Sequence, residues 1–414
     1  MLCHFPPEHS LPVVPRFGAL PPGRASSRRR EDFNPRPHYT PPVAKRVKTI
    51  DTTPGEQLPV AVPIPLDALV GQDDAVAQID AAIVSGRLHH AWIFHGPSGV
   101  GKFTAALAFA AIALDPSSAA DLTGKVRPDP DSPTQRRLAS GTHADLHIIV
   151  KELARFSRDQ KVRDQKQRNI PLDVVKEFLI EPAGLTGATE GALASKVFIV
   201  DEAELLAREG QNALLKTLEE PPPGTLVILV SSAADRLVPT IRSRCSHVAF
   251  RPLPHEAMQR WIADARLDVP AEHQDWLLEF AAGSPGQAML ALTTGLPGWR
   301  ESLEPMLDDL IAQRHPIQFG AAIDELIKAW SEQWVAGHRH ASKDAANKAA
   351  AGLVVRFIAS RLRVRLRSPD ADAAEWAARA LELLDESHRL IDANVRPIFA
   401  FDNWAAQLTC APAG

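Results

Sequence analysis

Short apolar runs alternate with helical patterns through the middle of the chain. Apolar residues at helical spacing predict helices over 74–85, 104–114, 172–180 and 211–218, the third ending before Pro182. Apolar runs between them predict strands over 91–95, 147–150, 196–200, 225–230 and 248–250. Strands that alternate with helices indicate a parallel sheet covered on both faces, so we predict an α/β fold.

The pattern becomes helical after Pro252. Residues 255–265 and 275–282 predict the helices of a small lid, and residues 297–408 are rich in Ala, Leu, Arg and Glu at helical spacing. A Pro-, Asp- and Ser-rich loop is predicted over 115–134. The predicted domains are therefore an α/β domain over 63–251, a helical lid over 252–296 and an all-α domain over 297–414.

The first 62 residues differ from the rest of the chain. They are dense in proline, carry Arg28-Arg29-Arg30 and a second basic run at 45–48, and lack a periodic apolar pattern. Such a segment cannot offset its ordering entropy, so we predict a disordered tail. A solvated tail, or an extension from a misplaced start codon, is favoured over a basic arm that contacts DNA phosphates.

Composition limits the classes of protein that fit. Of 414 residues, 45% are hydrophobic and 23% charged, and the formal net charge of −4 gives no global attraction to nucleic acid. Cys3, Cys245 and Cys410 are too few and too scattered for a disulfide framework or structural zinc site. No apolar run approaches the ~20 residues that cross a bilayer, and no secretory signal is evident. We expect a cytoplasmic protein without membrane contact.

A phosphate-binding loop follows the first predicted strand. Glycines at its fixed positions let backbone N–H groups face a triphosphate, and its lysine reaches the β and γ oxygens. A strand before the loop and a helix after it supply the required context, with the positive helix end favouring phosphate. The candidate nucleotide-binding residues are Gly96, Pro97, Ser98, Gly99, Val100, Gly101, Lys102, Phe103 and Thr104.

This loop lacks one side-chain group that the phosphate-loop pattern normally supplies, a hydroxyl. Phe103 stands where a hydroxyl normally ligates Mg²⁺. Thr104 does not replace it, because one step along a helix rotates a side chain by about 100°. We therefore expect ATP binding with weak or absent Mg²⁺ and weakened or absent hydrolysis.

An acidic pair, Asp201-Glu202, follows the strand predicted at 196–200, about 100 residues beyond the loop. In a P-loop ATPase the first acid positions Mg²⁺ and the second polarises the attacking water. Many strands end in acids for helix capping, so the pair alone is weak evidence. Its position after a phosphate loop makes it strong, although Phe103 raises the prospect that both acids are vestigial.

Two arginines, Arg242 and Arg244, flank a short turn after the fourth predicted strand. An arginine that reaches a γ-phosphate across a subunit boundary neutralises charge during phosphoryl transfer. The alternative is that both are surface residues paired with nearby acids. The basic cluster over 151–168 also has two interpretations. We favour a solvated loop over a surface that faces DNA.

Several runs resemble the bacterial clamp-loader ATPases of the AAA+ superfamily, over about residues 65–295. The most specific is Asn-Ala-Leu-Leu-Lys-Thr-Leu-Glu-Glu-Pro, followed by Ser-Arg-Cys. The runs that carry the resemblance are 85–91, 96–103, 201–204, 211–225 and 242–245.

This resemblance implies a P-loop AAA+ sheet domain, a small lid and an all-α collar that holds a heteropentameric ring together. It implies clamp-loader subunits as partners, with the sliding clamp and primer–template DNA bound through the complex. Arg244 would act in trans on a neighbour's ATP, and Ser231 and Ser232 would occupy the polar sensor position. The resemblance implies membership of the DNA polymerase III holoenzyme, but it does not imply polymerase chemistry.

Two departures from the family pattern affect the expected chemistry. The stretch from Asp115 to Gly141 lacks the cysteines of the family's zinc module, so we predict no zinc. Gln287 stands where motor subunits carry an arginine. We therefore favour an assembly subunit that is itself a poor ATPase, over an ATP-hydrolysing motor of the gamma/tau type or a branch-migration motor.

Overall fold

The computed structural model describes residues 62–163, 169–187, 189, 191–337 and 343–409. It also describes two short strands, β1 (Ile50–Asp51) and β2 (Gln57–Leu58), which pair antiparallel. Apart from that pair, the tail predicted over 1–62 lies almost wholly outside the described residues, and so does Cys410.

A parallel five-stranded sheet forms the centre of the α/β part and confirms the predicted fold class. Its spatial order is β6-β7-β8-β3-β9, and β7 and β8 are buried along their whole length. Such burial explains why these strands read as continuous apolar runs. The strands are β3 (Ala91–His95), β6 (Leu146–Ile149), β7 (Lys196–Val200), β8 (Thr225–Ser231) and β9 (Ser246–Ala249).

Helices cover both faces of this sheet. The alanine-rich α2 is buried almost entirely within one apolar cluster, because its small side chains allow close approach from several sides. A second cluster packs α5 and α7 against the opposite face. The helices are α1 (Asp73–Val84), α2 (Lys102–Ala113), α3 (Pro133–Ala139), α4 (Gln160–Arg163), α5 (Leu172–Val175), α6 (Glu181–Ala183), α7 (Arg208–Glu219) and α8 (Pro239–Arg242).

The helix predicted to end before Pro182 continues past it, so that boundary was wrong. A π-turn over Lys176–Ile180 joins α5 to α6, and Pro182 lies in the first turn of α6. The backbone N–H of Glu181 donates to Lys176 O across this wider turn. Proline lacks the N–H of a regular helix, and a widened turn before it relieves the ring's clash with the preceding carbonyls.

The segment predicted as a loop over about 115–134 also contains a short hairpin and the first residues of α3. The hairpin pairs β4 (Ala119–Ala120) with β5 (Val126–Arg127). Buried Asp115 organises the segment by accepting hydrogen bonds from Ser132 Oγ at 2.5 Å and Gln135 Nε2 at 2.8 Å. Burial opposes ionisation of Asp115, but these hydrogen bonds leave its pKa below the usual value.

The described residues after Pro252 are mainly helical, as predicted. One apolar core runs from the lid into the C-terminal helices and includes Leu277, Phe357 and Trp404. The boundaries at 252 and 297 remain predictions. Within the described ranges, every helix is too short or too polar to span a membrane. The helices are α9 (His255–Asp264), α10 (Ala271–Ala281), α11 (Pro285–Thr293), α12 (Trp299–Ile311), α13 (Phe319–Gly337), α14 (Lys343–Leu366), α15 (Ala371–Asp392) and α16 (Pro397–Thr409).

Candidate nucleotide site and its surface arginine

The phosphate loop connects β3 to α2. Gly99 and Gly101 have φ angles of +77° and +101°, which glycine adopts without the strain other residues meet. Lys102 is the first residue of α2 and is buried, and its Nζ donates to Pro97 O at 2.6 Å. The loop thus has the strand, turn and helix geometry of a phosphate cradle, with its lysine bonded to the loop's own backbone.

Phe103 is only 3% exposed and belongs to the apolar cluster around α2. Its ring therefore serves the core, and the position that would offer a hydroxyl to Mg²⁺ is apolar. Half-buried Thr104 follows one step along the helix. In the described part of the chain, no group of three or more His, Cys, Asp or Glu residues is arranged to hold a metal. The side chain of Phe103 therefore offers no oxygen ligand at the hydroxyl position of the phosphate-loop pattern.

The acidic pair lies directly after β7, as the sequence predicted. Asp201 is 4% exposed and accepts a hydrogen bond from the backbone N–H of Glu202 at 2.9 Å. Glu202 has a φ of +48°, an uncommon conformation for a residue with a side chain. Its carboxylate lies 2.7 Å from the ammonium of Lys151, the residue that opens the helical turn after β6.

The electrostatics of this ion pair are set by its burial. Burial raises the pKa of Glu202 to about 7, against the opposing attraction of Lys151. Burial also disfavours the charged ammonium, yet the nearby carboxylates of Glu202 and Glu152 raise the pKa of Lys151. Lys151 is therefore the fixed cation of the pair, while Glu202 gains and loses its proton near neutral pH.

The predicted polar sensor residues are bonded within the chain. Ser231 is buried at the end of β8, and its Oγ accepts from the backbone N–H of Ala233 at 3.1 Å. Ser232 is exposed and donates through its Oγ to the carboxylate of Glu204, which also accepts its backbone N–H at 3.2 Å. Ser232 thus contacts the segment that follows the acidic pair.

The lid rests directly on the phosphate loop, a contact that sequence reasoning missed. Ser284 caps α11, and its Oγ donates to Ser98 O at 2.9 Å. The backbone N–H of Gly286 donates to Gly99 O at 2.9 Å. These bonds use loop carbonyls and do not compete with phosphate for N–H groups. Gln287 is 2% exposed, and its Oε1 has no hydrogen-bond partner among the residues that the structure describes.

A second missed residue, Gln72, joins the loop to the last strand. Its Nε2 donates to Val100 O at 3.2 Å and to Arg251 O at 2.7 Å. Its Oε1 accepts the backbone N–H of Arg251 at 3.2 Å. In the sequence Gln72 is an uncharged residue between Gly71 and two aspartates, which offers no distinctive signal. Gln72 therefore fixes the phosphate loop against the segment that leads into the lid.

The two arginines of the Ser-Arg-Cys region have different environments. Arg242 is half-buried, and within the described part of the chain its buried Nε has no hydrogen-bond partner. Arg244 is 37% exposed, lies 2.7 Å from the Glu219 carboxylate, and donates through Nη1 to Thr240 O at 2.9 Å. These contacts are those of the alternative interpretation, because Arg244 is a surface residue that pairs with a nearby acid. Its action in trans stays a prediction.

The basic cluster predicted over 151–168 is engaged largely with its own surroundings. Besides the Lys151 pair, Arg158 lies 3.0 Å from Glu181, and Arg163 donates to Ser157 O at 2.6 Å. Residues 164–168 lie outside the described part of the chain. These contacts favour the solvated-loop interpretation over a surface dedicated to DNA.

The fold and the site together define a class of protein. A parallel sheet carries a phosphate loop after β3 and an acidic pair after β7, and a helical lid rests on the loop. This is the architecture of a P-loop nucleotide-binding domain of the AAA+ type.

Comparison with known proteins narrows the class. Residues 71–254 match the family model described as DNA polymerase III, delta subunit. The delta' subunit of DNA polymerase III from Pseudomonas aeruginosa is 32% identical over 247 residues, which are 58% of this chain and 66% of that protein. These matches support a delta-prime-like clamp-loader subunit.

Other matching proteins carry the name of the gamma/tau subunit of DNA polymerase III. The gamma/tau subunit of DNA polymerase III from Mycobacterium tuberculosis is 29% identical over 196 residues, covering 47% of this chain and 30% of that protein. This chain thus spans less than two thirds of the length of these curated relatives. A crystal structure of a gamma subunit-related protein from Thermotoga maritima aligns at 18% identity and a TM-score of 0.42, covering 80% of this chain and 98% of that one.

Proposed function

We propose that this protein is the delta-prime-type subunit of a bacterial clamp loader, which assembles the loading ring and supplies Arg244 to a neighbouring ATPase. The single observation that carries the non-motor role is Phe103, which occupies the hydroxyl position of the phosphate loop and is 3% exposed. Its partners would be the other subunits of a heteropentameric ring in the cytoplasm, with the sliding clamp and primer–template DNA bound through that ring.

The surroundings of Glu202 support weak intrinsic hydrolysis. The Glu202 carboxylate is already bonded to the Lys151 ammonium at 2.7 Å, so it would have to leave this partner to orient an attacking water. Gln287 lacks the charge with which an arginine would stabilise the transferring phosphate, and single electrostatic stabilisers are worth about 10²-fold or more in other enzymes. ATP binding through the loop backbone and Lys102 is compatible with these losses; Mg²⁺ is expected to bind weakly or not at all, and zinc is not expected.

The exposure of Arg244 supports its action in trans. The Arg244 side chain is 37% exposed, so another subunit can reach it. By contrast, Arg242, the other arginine of this turn, has its Nε buried within the protein. Asp201 and Glu202 are then remnants of the site that motor subunits use.

ATP turnover separates this proposal from the alternative of a gamma/tau-type motor. We expect negligible turnover by the isolated chain. In a ring reconstituted with motor subunits, clamp and primer–template DNA, Arg244→Ala should lower DNA-stimulated turnover at the neighbouring site that it serves by roughly 10³-fold, the lower range for arginine fingers. Arg236→Ala, at an exposed arginine in the preceding turn, is the matched control. Brisk turnover by the chain alone would favour the motor alternative.

A further inference from the structure

The ion pair between Arg244 and Glu219 links two elements that meet at the protein surface. Glu219 is the last residue of α7, and Arg244 follows α8 in the turn that leads to β9. The Nη2 of Arg244 lies 2.7 Å from Glu219 Oε1, and the two side chains are 37% and 49% exposed. At this exposure an ion pair contributes little to folding, so its stability alone does not explain the arrangement.

Helix electrostatics make the position of Glu219 still less favourable for stability. The carbonyl end of a helix carries partial negative charge, which disfavours a carboxylate in the last turn. A cation from outside the helix compensates this repulsion, and Arg244 is the cation that does so. The pair therefore orients Arg244 more than it stabilises α7.

The base of the Arg244 side chain is already fixed. Its backbone N–H donates to Ile241 O at 3.0 Å, and Ile241 is fully buried. At the other end, Nη1 donates to Thr240 O at 2.9 Å while Nη2 contacts Glu219. The guanidinium is a planar fork, so holding two of its nitrogens also fixes the plane of the group.

We propose that Glu219 is a positioning residue that holds the Arg244 guanidinium in the orientation needed to donate to the terminal phosphate of a nucleotide on the neighbouring subunit. This inference rests on the proposed trans role of Arg244. It assigns Glu219 no contact with the phosphate itself. Without the carboxylate, the long arginine side chain samples more rotamers and presents its donors correctly for less of the time.

The test is Glu219→Gln in the reconstituted ring, which removes the charge and keeps an oxygen of similar reach. We expect kcat for DNA-stimulated ATP hydrolysis at the site that Arg244 serves to fall by up to roughly 10²-fold, the cost of misplacing a catalytic group by about 1 Å. The KM for ATP and the protein concentration for half-maximal ring assembly should stay unchanged, because Glu219 acts only through Arg244. Glu220→Gln, the adjacent exposed glutamate, is the matched control.

A double variant separates this inference from the proposed function. If Glu219 acts through Arg244, the turnover of the Glu219→Gln, Arg244→Ala ring should equal that of the Arg244→Ala ring. Loss in Arg244→Ala with full or increased kcat in Glu219→Gln overturns the positioning role and leaves the proposed function standing. An unchanged kcat in both single variants overturns both. A fall in assembly instead of kcat would make Glu219 an interface residue and would also overturn the inference.

Discussion

The ammonium of Lys151 lies 2.7 Å from the carboxylate of Glu202, so the acid expected to polarise an attacking water is already bound to a fixed cation. Both side chains are largely shielded from solvent, with 14% and 18% of their surfaces exposed. Burial raises the pKa of Glu202 to about 7, whereas the pKa of Lys151 remains above its ordinary value. The pair changes its net charge close to neutral pH.

This titration predicts a pH-dependent stability. Because the folded pKa of Glu202 is about 7 and its ordinary value is 4.5, the folded state holds the extra proton between these limits. The free energy of unfolding then falls as the pH rises from 4.5 to 7, by on the order of 3 kcal/mol for this shift. Urea unfolding between pH 4 and 8 should show Glu202→Gln losing less stability than the unaltered protein over that range, by about this amount. Parallel curves for the two proteins would contradict the prediction, and Glu220→Gln controls for loss of an exposed carboxylate.

Local spacing in the sequence was enough to place the phosphate loop, the acidic pair and the strands that carry them. The strand over 196–200 matched β7 at both ends, because its continuous apolar run reflects burial on both faces. Each of these features depends on residues that are close together in the sequence, so the local pattern predicts it directly.

The contacts that give the site its character were not predicted, because they join distant parts of the chain. Lys151 meets Glu202 across 51 positions, and Ser284 meets Ser98 across 186. Lys151 was read only as part of a basic cluster, since its partner becomes evident once β6 and β7 are adjacent in the sheet. The sequence predicted only part of the role of Phe103. The missing hydroxyl was evident from the phosphate-loop pattern, but the burial of the Phe103 ring in the core was not.

The close approach of the lid to the phosphate loop predicts a marked effect of Gly286→Ala. An added Cβ would lie 2.7 Å from Gly99 Cα, and backbone atoms cannot move aside as a flexible side chain can. Overpacking of this kind costs about 1–3 kcal/mol in the free energy of unfolding. Urea unfolding should detect the loss.

Gly298→Ala supplies the control for that experiment. A Cβ at Gly298 meets nothing within 4 Å, and the φ of Gly298 is −66°, so alanine fits without strain. We expect a change between zero and a gain of about 1 kcal/mol, from the reduced entropy of the unfolded chain. Equal losses in both variants would mean that the lid does not rest on the loop as described.

Restoring the missing hydroxyl should harm stability without restoring hydrolysis. Phe103→Thr removes a ring that is 3% exposed, and comparable deletions of buried aromatic rings cost about 3–5 kcal/mol. ATP turnover by the isolated variant should remain negligible, because Glu202 stays paired with Lys151 and Gln287 is unchanged. Phe399→Thr, at a side chain that is 60% exposed, should change stability by less than about 0.5 kcal/mol. Substantial turnover by Phe103→Thr would show that the hydroxyl alone had silenced the site.

The thiol next to the surface arginine should be chemically inert in the folded protein. Burial raises the pKa of Cys245 to about 12 from an ordinary value of 9.0. Only the thiolate reacts with alkylating reagents, and at pH 8 this shift lowers the thiolate fraction about 1000-fold. Iodoacetamide should therefore label Cys245 slowly in native protein and rapidly in urea, as measured by mass spectrometry of the peptide that contains it. A native rate within about tenfold of the rate in urea would mean that the thiol is not shielded, and that the turn holding Arg244 opens readily.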